Sequence, residues 1–195
     1  DTAFDREYLF VLSEMDSRIH QAVEYGDDFE GTEFLGDYFS NYWFINGRAA
    51  PDDLVGAKVA WLPHQPYNSS PRMTPGQRML VRIIGGDQDQ HPLHLHGNHY
   101  KEIARYGRLL TTNGGGLGSR QKFTTLSVPG QTVDAIFEWT GEDLGWDIYG
   151  STLDGMPPHD CNPDADGYST SDYPMEWCAD HDKPFPVTLP ETQNL

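Results

Sequence analysis

The chain has 195 residues, a length that suits one domain with long loops. Its 13 basic and 30 acidic residues give a formal charge of −17, which argues against a nucleic-acid partner and against an anionic membrane surface. No apolar run approaches the roughly 18 residues of a membrane-spanning helix, and no signal peptide is recognisable. Because the chain does not begin with Met, we expect a mature, processed or excised piece.

The predicted elements are strands joined by turns that are rich in Gly and Pro. Apolar or alternating runs predict strands at 8–15, 38–45, 79–84, 123–128, 131–139 and 146–149, with shorter strands expected at 72–74 and 184–189. The acidic stretch 16–33 allows a short helix, and the dipeptide Asn46-Gly47 predicts a hairpin turn. Many short strands and few helical patterns are typical of an all-β sandwich.

Four of the eight histidines lie within nine residues, namely His91, His94, His96 and His99. Side chains two positions apart on a strand share a face, so His94 and His96 are expected to point the same way, into a cleft. The leucines that alternate with them are then expected to face the core. Imidazole is the commonest protein ligand for copper and zinc, so we predict a metal site at these four histidines. The alternative is a polar, histidine-rich turn.

The segment His91-Pro92-x-His94-x-His96-Gly97 resembles the third copper-binding motif of the multicopper oxidases, a family built from cupredoxin domains. Pieces similar to other segments of that family occur in the expected order at 42–48, 62–67, 75–78 and 128–134. The resemblance implies an all-β, cupredoxin-like Greek-key β-sandwich with long loops. We predict one such domain over 1–195, with its core at about 5–150 and an acidic, disulfide-stapled loop and tail at 151–195.

The sequence departs from the family at a later strand, which in the family carries a His-Cys-His motif. The corresponding stretch here is 145–151, and it contains neither histidine nor cysteine. The chain by itself therefore cannot assemble a complete multicopper oxidase site. Either another domain or subunit supplies the missing ligands, or the copper chemistry has been lost.

Two assignments of the histidines follow from the resemblance. By position in the third motif, His91 is a type 1 copper ligand, and His94 and His96 reach different coppers of a trinuclear cluster. Alternatively, His94-x-His96-Gly97 matches the family's first motif, in which both histidines serve the cluster and His91 need not bind metal. The sequence alone leaves both assignments open.

The two cysteines, Cys161 and Cys178, flank a loop rich in Pro, Asp, Gly and Ser. We predict that they form a disulfide, which implies an oxidising, extracytoplasmic location (secreted, periplasmic or cell surface). The alternative is that Cys161 is a type 1 copper ligand together with His159 and Met156. The order of these three residues is the reverse of the family's order.

The same loop carries oxygen side chains at alternate positions and ends in a turn glycine. Calcium binds six to eight oxygen ligands, and such a run supplies three or four of them. The twelfth position lacks the Glu of an EF-hand, so we predict a simpler calcium loop, formed by Asp160, Asn162, Asp164 and Asp166. The alternative is a solvated acidic loop held by the disulfide.

Three functional hypotheses follow. The first is a multicopper-oxidase-type domain that gives histidines to a copper site completed by another cupredoxin domain or subunit, for oxidation of a metal ion or phenol with reduction of dioxygen. The second is a non-catalytic copper-binding or structural cupredoxin subunit of an extracellular assembly. The third is a mononuclear copper or zinc enzyme that uses three of the four clustered histidines and keeps a fourth position open.

Overall fold

The structure is a computed structural model that describes residues 1–26 and 36–186. The chain forms two compact units. Unit 1 comprises Asp1–Arg72 and Arg78–Phe137, and unit 2 comprises Met73–Gln77 and Glu138–Leu195. The predicted single domain stays a prediction, because compactness alone does not show whether either unit folds independently.

The elements with described bounds are nine strands, one α-helix and two short 3₁₀ turns. The strands are β1 Arg6–Met15, β2 Tyr42–Ile45, β3 Arg78–Gly85, β4 His91–His94, β5 Tyr100–Arg105, β6 Arg108–Leu109, β7 Arg120–Lys122, β8 Thr124–Ser127 and β9 Thr132–Glu138. Helix α1 is Ser17–Tyr25, and the 3₁₀ turns are Thr152–Asp154 and Cys178–Asp180. None of the helices in these ranges is long and apolar enough to cross a membrane.

The strands form two sheets. The larger has the order β2-β1-β3-β9-β5-β6, with β7 also paired to β5, and the smaller is the antiparallel pair β4-β8. Strands β1 and β3 run parallel, whereas β2 pairs with β1, and β9 with β5, in antiparallel fashion. The predicted all-β sandwich class is therefore confirmed.

Hydrogen bonds cross from one sheet of unit 1 to the other. Tyr100 on β5 donates its hydroxyl to the Leu93 carbonyl on β4, at 3.0 Å. The Thr125 hydroxyl on β8 donates to the Glu102 carboxylate on β5, at 2.5 Å, and that carboxylate also holds Arg105. Because Glu102 is completely buried, these partners are needed to offset its desolvation.

The apolar core lies in unit 1, on the central strands of the larger sheet. Leu80, Ile103 and Ile136 pack together there. Ile83 and Ala135, which lie on two of the same strands, are fully buried. These residues come from β3, β5 and β9, whose apolar runs are buried on both faces. This packing fixes the strand ends that deliver the histidine segment.

Two predicted strands are wrong. Residues 72–74 form no strand, because Pro71 and Pro75 flank them and the chain turns where Gln77 N–H donates to the Thr74 carbonyl. Residues 146–149 also form no strand, since Gly145 and Gly150 on either side adopt left-handed φ angles of 84° and 98°. The predicted strand at 184–189 extends beyond the described residues, and 184–186 is not in a strand.

Arg48 organises the long loop that follows β2. The preceding Asn46-Gly47 turn is confirmed, with φ angles of 55° and 79°, as a hairpin turn of this type requires. Arg48 is 1 % exposed, and its guanidinium donates to the Gln65 carbonyl at 2.7 and 2.9 Å and to the Gly56 carbonyl at 3.1 Å. One buried cation therefore holds two distant parts of the loop.

We expect Arg48→Gln to lower the free energy of unfolding by about 3 kcal/mol, because several partly buried carbonyls lose their donor and the buried side chain loses its hydrogen bonds. Urea denaturation followed by tryptophan fluorescence measures the loss. Arg108→Gln is the matched control, since Arg108 is exposed on β6. Equal stability of the two variants would contradict the proposed role of Arg48.

Candidate metal sites

The histidine segment begins on β4 and ends in a turn. His91 to His94 pair with Ser127 to Thr124 of β8, and the ladder continues one step further through Leu95 N–H and the Phe123 carbonyl, at 2.9 Å. The chain then turns through Gly97, which has a φ of 69°, and enters β5 at Tyr100. This extended stretch exposes His94 and His96 and half-buries Leu93 and Leu95.

His94 and His96 lie side by side, with ring centroids 5.1 Å apart. His94 Nδ1 is hydrogen-bonded to the Thr124 hydroxyl at 2.8 Å, which leaves Nε2 as the nitrogen that can bind a metal. His94 and His99 each meet the Phe123 ring edge-on, at 5.8 and 5.6 Å between centroids. Two of the predicted ligands, His94 and His99, therefore contact one exposed aromatic ring, and His96 lies beside His94.

His91 lies elsewhere, against a buried carboxylate. Its Nε2 is 2.6 Å from Glu14 Oε2, and the Glu14 side chain on β1 is fully buried. The other oxygen of Glu14 accepts the backbone N–H groups of Gln88 and Asp89, at 2.5 and 2.7 Å. Glu14 therefore connects the residues that lead into the histidine segment, Gln88 to His91, to strand β1 of the larger sheet.

A second group of possible ligands lies in unit 2 and was not predicted from the sequence. It consists of two carboxylates and two imidazoles whose ligand atoms all lie within 4.8 Å of one another: Asp147, His159, Glu176 and His181. In the described ranges, this is the one group of three or more His, Cys, Asp or Glu side chains close enough to hold a metal ion. The four histidines at 91–99 do not form such a group.

Ligand atoms in the unit 2 cluster are in direct contact. His159 Nε2 lies 3.1 Å from Glu176 Oε1 and 3.4 Å from Asp147 Oδ2. His181 Nδ1 lies 2.9 Å from Glu176 Oε1 and 3.8 Å from Asp147 Oδ2. Both carboxylates are buried, and the His159 side chain is only 7 % exposed.

The predicted disulfide positions two members of this cluster. Cys161 and Cys178 are bonded, with their Cα atoms 5.7 Å apart, so the proposal of Cys161 as a copper thiolate is wrong. His159 and Glu176 each stand two residues before one of the cysteines. His181 follows directly after the 3₁₀ turn Cys178–Asp180. The crosslink therefore brings both ligand-bearing segments together.

Backbone hydrogen bonds orient Asp147, and aromatic neighbours pack around His159. Asp147 Oδ1 accepts the Tyr149 N–H at 2.9 Å, and its Oδ2 accepts the Asp182 N–H at 3.2 Å. Tyr149 stacks on Tyr173 with ring centroids 4.1 Å apart, and the His159 ring meets Tyr173 edge-on at 4.9 Å. The Asp147 carboxylate and the His159 ring are therefore held in fixed orientations.

Burial alone would lower the pKa of His181, but its contacts act in the opposite direction. The hydrogen bond and charge of Glu176, together with the charges of Asp182 and Asp147, outweigh burial and raise the pKa of His181. This shift reflects the negative charge that is concentrated at the cluster.

The four residues of the predicted calcium loop are exposed, and the hydrogen bonds described for them lie within the loop. Asp164 Oδ1 accepts the N–H groups of Asp166 and Tyr168, at 2.9 and 3.0 Å, which closes a turn. The Asn162 amide donates to the Ser171 hydroxyl, and Asp160 N–H donates to Asp172 Oδ2. Nothing in this geometry supports calcium, and the calcium site stays a prediction.

Sequence reasoning missed both Glu14 and the unit 2 cluster. Glu14 is 77 residues from His91, so no local pattern joins them. The cluster members lie in loops without periodicity, although one signal was available. The repeated spacing His159-x-Cys161 and Glu176-x-Cys178 places potential ligands symmetrically on the two sides of the crosslink.

No protein-family model and no curated protein matches the sequence. Solved structures with similar architecture include multicopper oxidase mgLAC, with 19 % identity and a TM-score of 0.49 over 69 % of this chain and 34 % of that one. Blue copper oxidase from Nitrosomonas europaea has 21 % identity and a TM-score of 0.45 over 68 % of this chain and 33 % of that one. Fet3p, a multicopper oxidase that functions in iron import, has 13 % identity and a TM-score of 0.45 over 72 % and 22 %. The chain spans about a third or less of these proteins.

We expect the double substitution Cys161→Ser/Cys178→Ser to lower the free energy of unfolding by about 3 kcal/mol, which is the entropic cost of closing a loop of this length. Denaturant titration in excess EDTA, with and without dithiothreitol, measures the difference. Reductant should shift the wild-type midpoint and leave the variant unchanged. Coincident midpoints for all samples would contradict a stabilising crosslink.

Proposed function

We propose that this chain is a cupredoxin-like domain of an extracytoplasmic protein of the multicopper oxidase type. His94 and His96 contribute to a copper site that another domain or subunit completes. The observation that carries the proposal is the pair of exposed imidazoles 5.1 Å apart, on the motif that resembles the family's copper ligands. An exposed pair is accessible to ligands from a partner, as an interdomain site requires.

The chemistry of the pair fits copper. Neutral imidazole is a preferred ligand of copper, and the hydrogen bond between His94 Nδ1 and Thr124 fixes the ring with Nε2 outward. His99 stays a candidate ligand, because its ring shares the Phe123 contact with His94. The Asn98 amide donates to the His96 carbonyl at 3.1 Å and stabilises the turn between His96 and His99.

The Glu14 contact favours one of the two histidine assignments. His91 Nε2 is engaged by a fully buried carboxylate, whereas His94 and His96 face outward. We therefore assign His94-x-His96-Gly97 to the motif in which both histidines serve the copper cluster. His91 then has a structural role, which is to hydrogen-bond the buried Glu14 carboxylate and anchor β4 to β1.

The residues of this chain hold and orient copper, and electron transfer needs further ligands. Both cysteines are joined in the disulfide, so the described residues offer no thiolate for a type 1 site. A complete copper site of this type would take electrons from a metal ion or phenol and reduce dioxygen. The disulfide also supports an extracytoplasmic location.

The lack of a cysteine ligand equally favours the second candidate, a copper-binding or structural subunit without turnover. The two candidates differ when the domain or subunit that supplies the missing ligands is present. Oxygen consumption with ferrous ion or a phenol then supports the oxidase, and copper binding without oxygen consumption supports the non-catalytic subunit.

We expect His94→Ala/His96→Ala to abolish the binding of one equivalent of Cu²⁺, because the imidazole pair is removed. Equilibrium dialysis, with electron paramagnetic resonance on the same samples, counts the copper that is bound. His20→Ala/His64→Ala is the matched control, since both of these histidines are exposed and distant in sequence. Equal copper content in the two double variants would contradict the assignment.

We expect His91→Ala and His94→Ala to have opposite effects. His91→Ala leaves the buried Glu14 charge without its imidazole and should lower stability by about 2 kcal/mol while copper binding is retained. His94→Ala changes an exposed side chain and should alter stability by less than about 0.5 kcal/mol while copper binding is lost. Thermal unfolding and copper titration measure both effects, and loss of copper in the folded His91 variant would restore His91 as a ligand.

A further inference from the structure

We propose that unit 2 is a metal-stabilised module in which Asp147, His159, Glu176 and His181 bind one divalent transition-metal ion, with Zn²⁺ as the best match. This site is separate from the histidine segment on β4 and does not depend on the proposed copper function. Its role is structural, because four protein ligands close the coordination sphere.

The distances suit a small cation. Four ligand atoms arranged tetrahedrally at the usual zinc distances are separated by about 3.3 Å. The observed separations between imidazole nitrogens and carboxylate oxygens are 2.9, 3.1, 3.4 and 3.8 Å. The rings of His159 and His181 are nearly perpendicular, at 84°, with centroids 4.8 Å apart. Small adjustments of the side chains would bring all four ligand atoms to one ion.

The charge and burial of the cluster call for a cation. Asp147 and Glu176 are 1 % and 2 % exposed, so two carboxylates are confined in a poorly solvated space. Glu176 Oε2 is buried and has no hydrogen-bond partner among the described residues. An unpaired buried carboxylate oxygen is costly, and a divalent ion bound there would neutralise both carboxylates.

The composition of unit 2 gives an independent reason. Apart from Pro75, none of the buried aliphatic or aromatic side chains in the described chain lies in unit 2, and its other buried side chains are polar or charged: Asp147, Ser151, Ser169, Glu176 and Asp180. Small modules without an apolar core are commonly stabilised by disulfides or metal ions. Unit 2 has the disulfide, and three of the four cluster residues, His159, Glu176 and His181, lie within three positions of one of its cysteines.

The ligand set selects the class of metal. Two imidazoles and two carboxylates suit Zn²⁺ and other first-row divalent ions, whereas calcium takes oxygen ligands in larger number. The site also differs from the predicted calcium loop, with which it shares no residue. Cobalt can replace zinc as a spectroscopic probe, since a tetrahedral Co²⁺ complex has strong visible absorption bands.

The test is metal content and metal-dependent stability of the whole chain, purified without a histidine tag. We expect the EDTA-treated protein to take up one equivalent of Zn²⁺ that raises the melting temperature, and Co²⁺ to give the tetrahedral spectrum. Calcium at the same concentration should leave the melting temperature unchanged. A calcium-induced rise without a zinc-induced rise would overturn the proposal.

Variants locate the ion. Glu176→Gln keeps the shape of the side chain and removes its charge, and His181→Ala removes one imidazole. Each should weaken zinc affinity by roughly a hundredfold or more, at least as much as loss of an outer-shell partner does. Asp143→Asn is the matched control in the same module, because Asp143 is exposed and outside both the cluster and the predicted calcium loop.

Two results on the wild-type chain, which need no variant to fold, would overturn the proposal. The first is the absence of stoichiometric zinc binding after chelator treatment. The second is zinc binding that does not change the melting temperature, because a structural ion must favour the folded state. Unchanged zinc affinity in the folded Glu176→Gln and His181→Ala variants would also overturn it, since the ion would then lie elsewhere.

Discussion

Buried carboxylates determine what the histidines of this chain can do. Glu14, Glu102, Asp147 and Glu176 are all almost completely buried, and a buried carboxylate must find charge or hydrogen-bond partners within the fold. Glu102 is satisfied by Arg105 and Thr125. Glu14 takes His91, and the pair in unit 2 takes His159 and His181. The other histidines are exposed: His94, His96 and His99 lie at the end of β4 and in the turn after it, and His20 and His64 lie elsewhere in unit 1.

This division separates two kinds of metal chemistry. The exposed imidazoles of unit 1 match the proposed partial copper site, which another domain or subunit would complete. The cluster of unit 2 contains two carboxylates and two imidazoles, which fits the proposed closed structural site. The two units also differ in the interactions that stabilise their folds. Unit 1 is stabilised by an apolar core on β3, β5 and β9, whereas unit 2 has a disulfide and buried polar groups.

The sequence was sufficient where local pattern determines structure. The apolar runs of β1, β3 and β9 predicted buried strands, and Asn46-Gly47 predicted its turn from backbone conformation alone. The same reasoning failed at 146–149, because flanking glycines in left-handed conformations override an apolar run. It also failed wherever the partner is remote, since no local rule pairs His91 with Glu14 across 77 residues. The disulfide was predicted, but its consequence, which is to bring His159 to Glu176, needed the fold.

The most direct test of this account is the location of bound zinc in crystals of the EDTA-treated chain supplied with one equivalent of Zn²⁺. Anomalous difference maps from data collected above and below the zinc absorption edge would show the ion. The account predicts one strong peak among Asp147, His159, Glu176 and His181. A peak at the β4 histidines alone, or no peak in unit 2, would contradict the account.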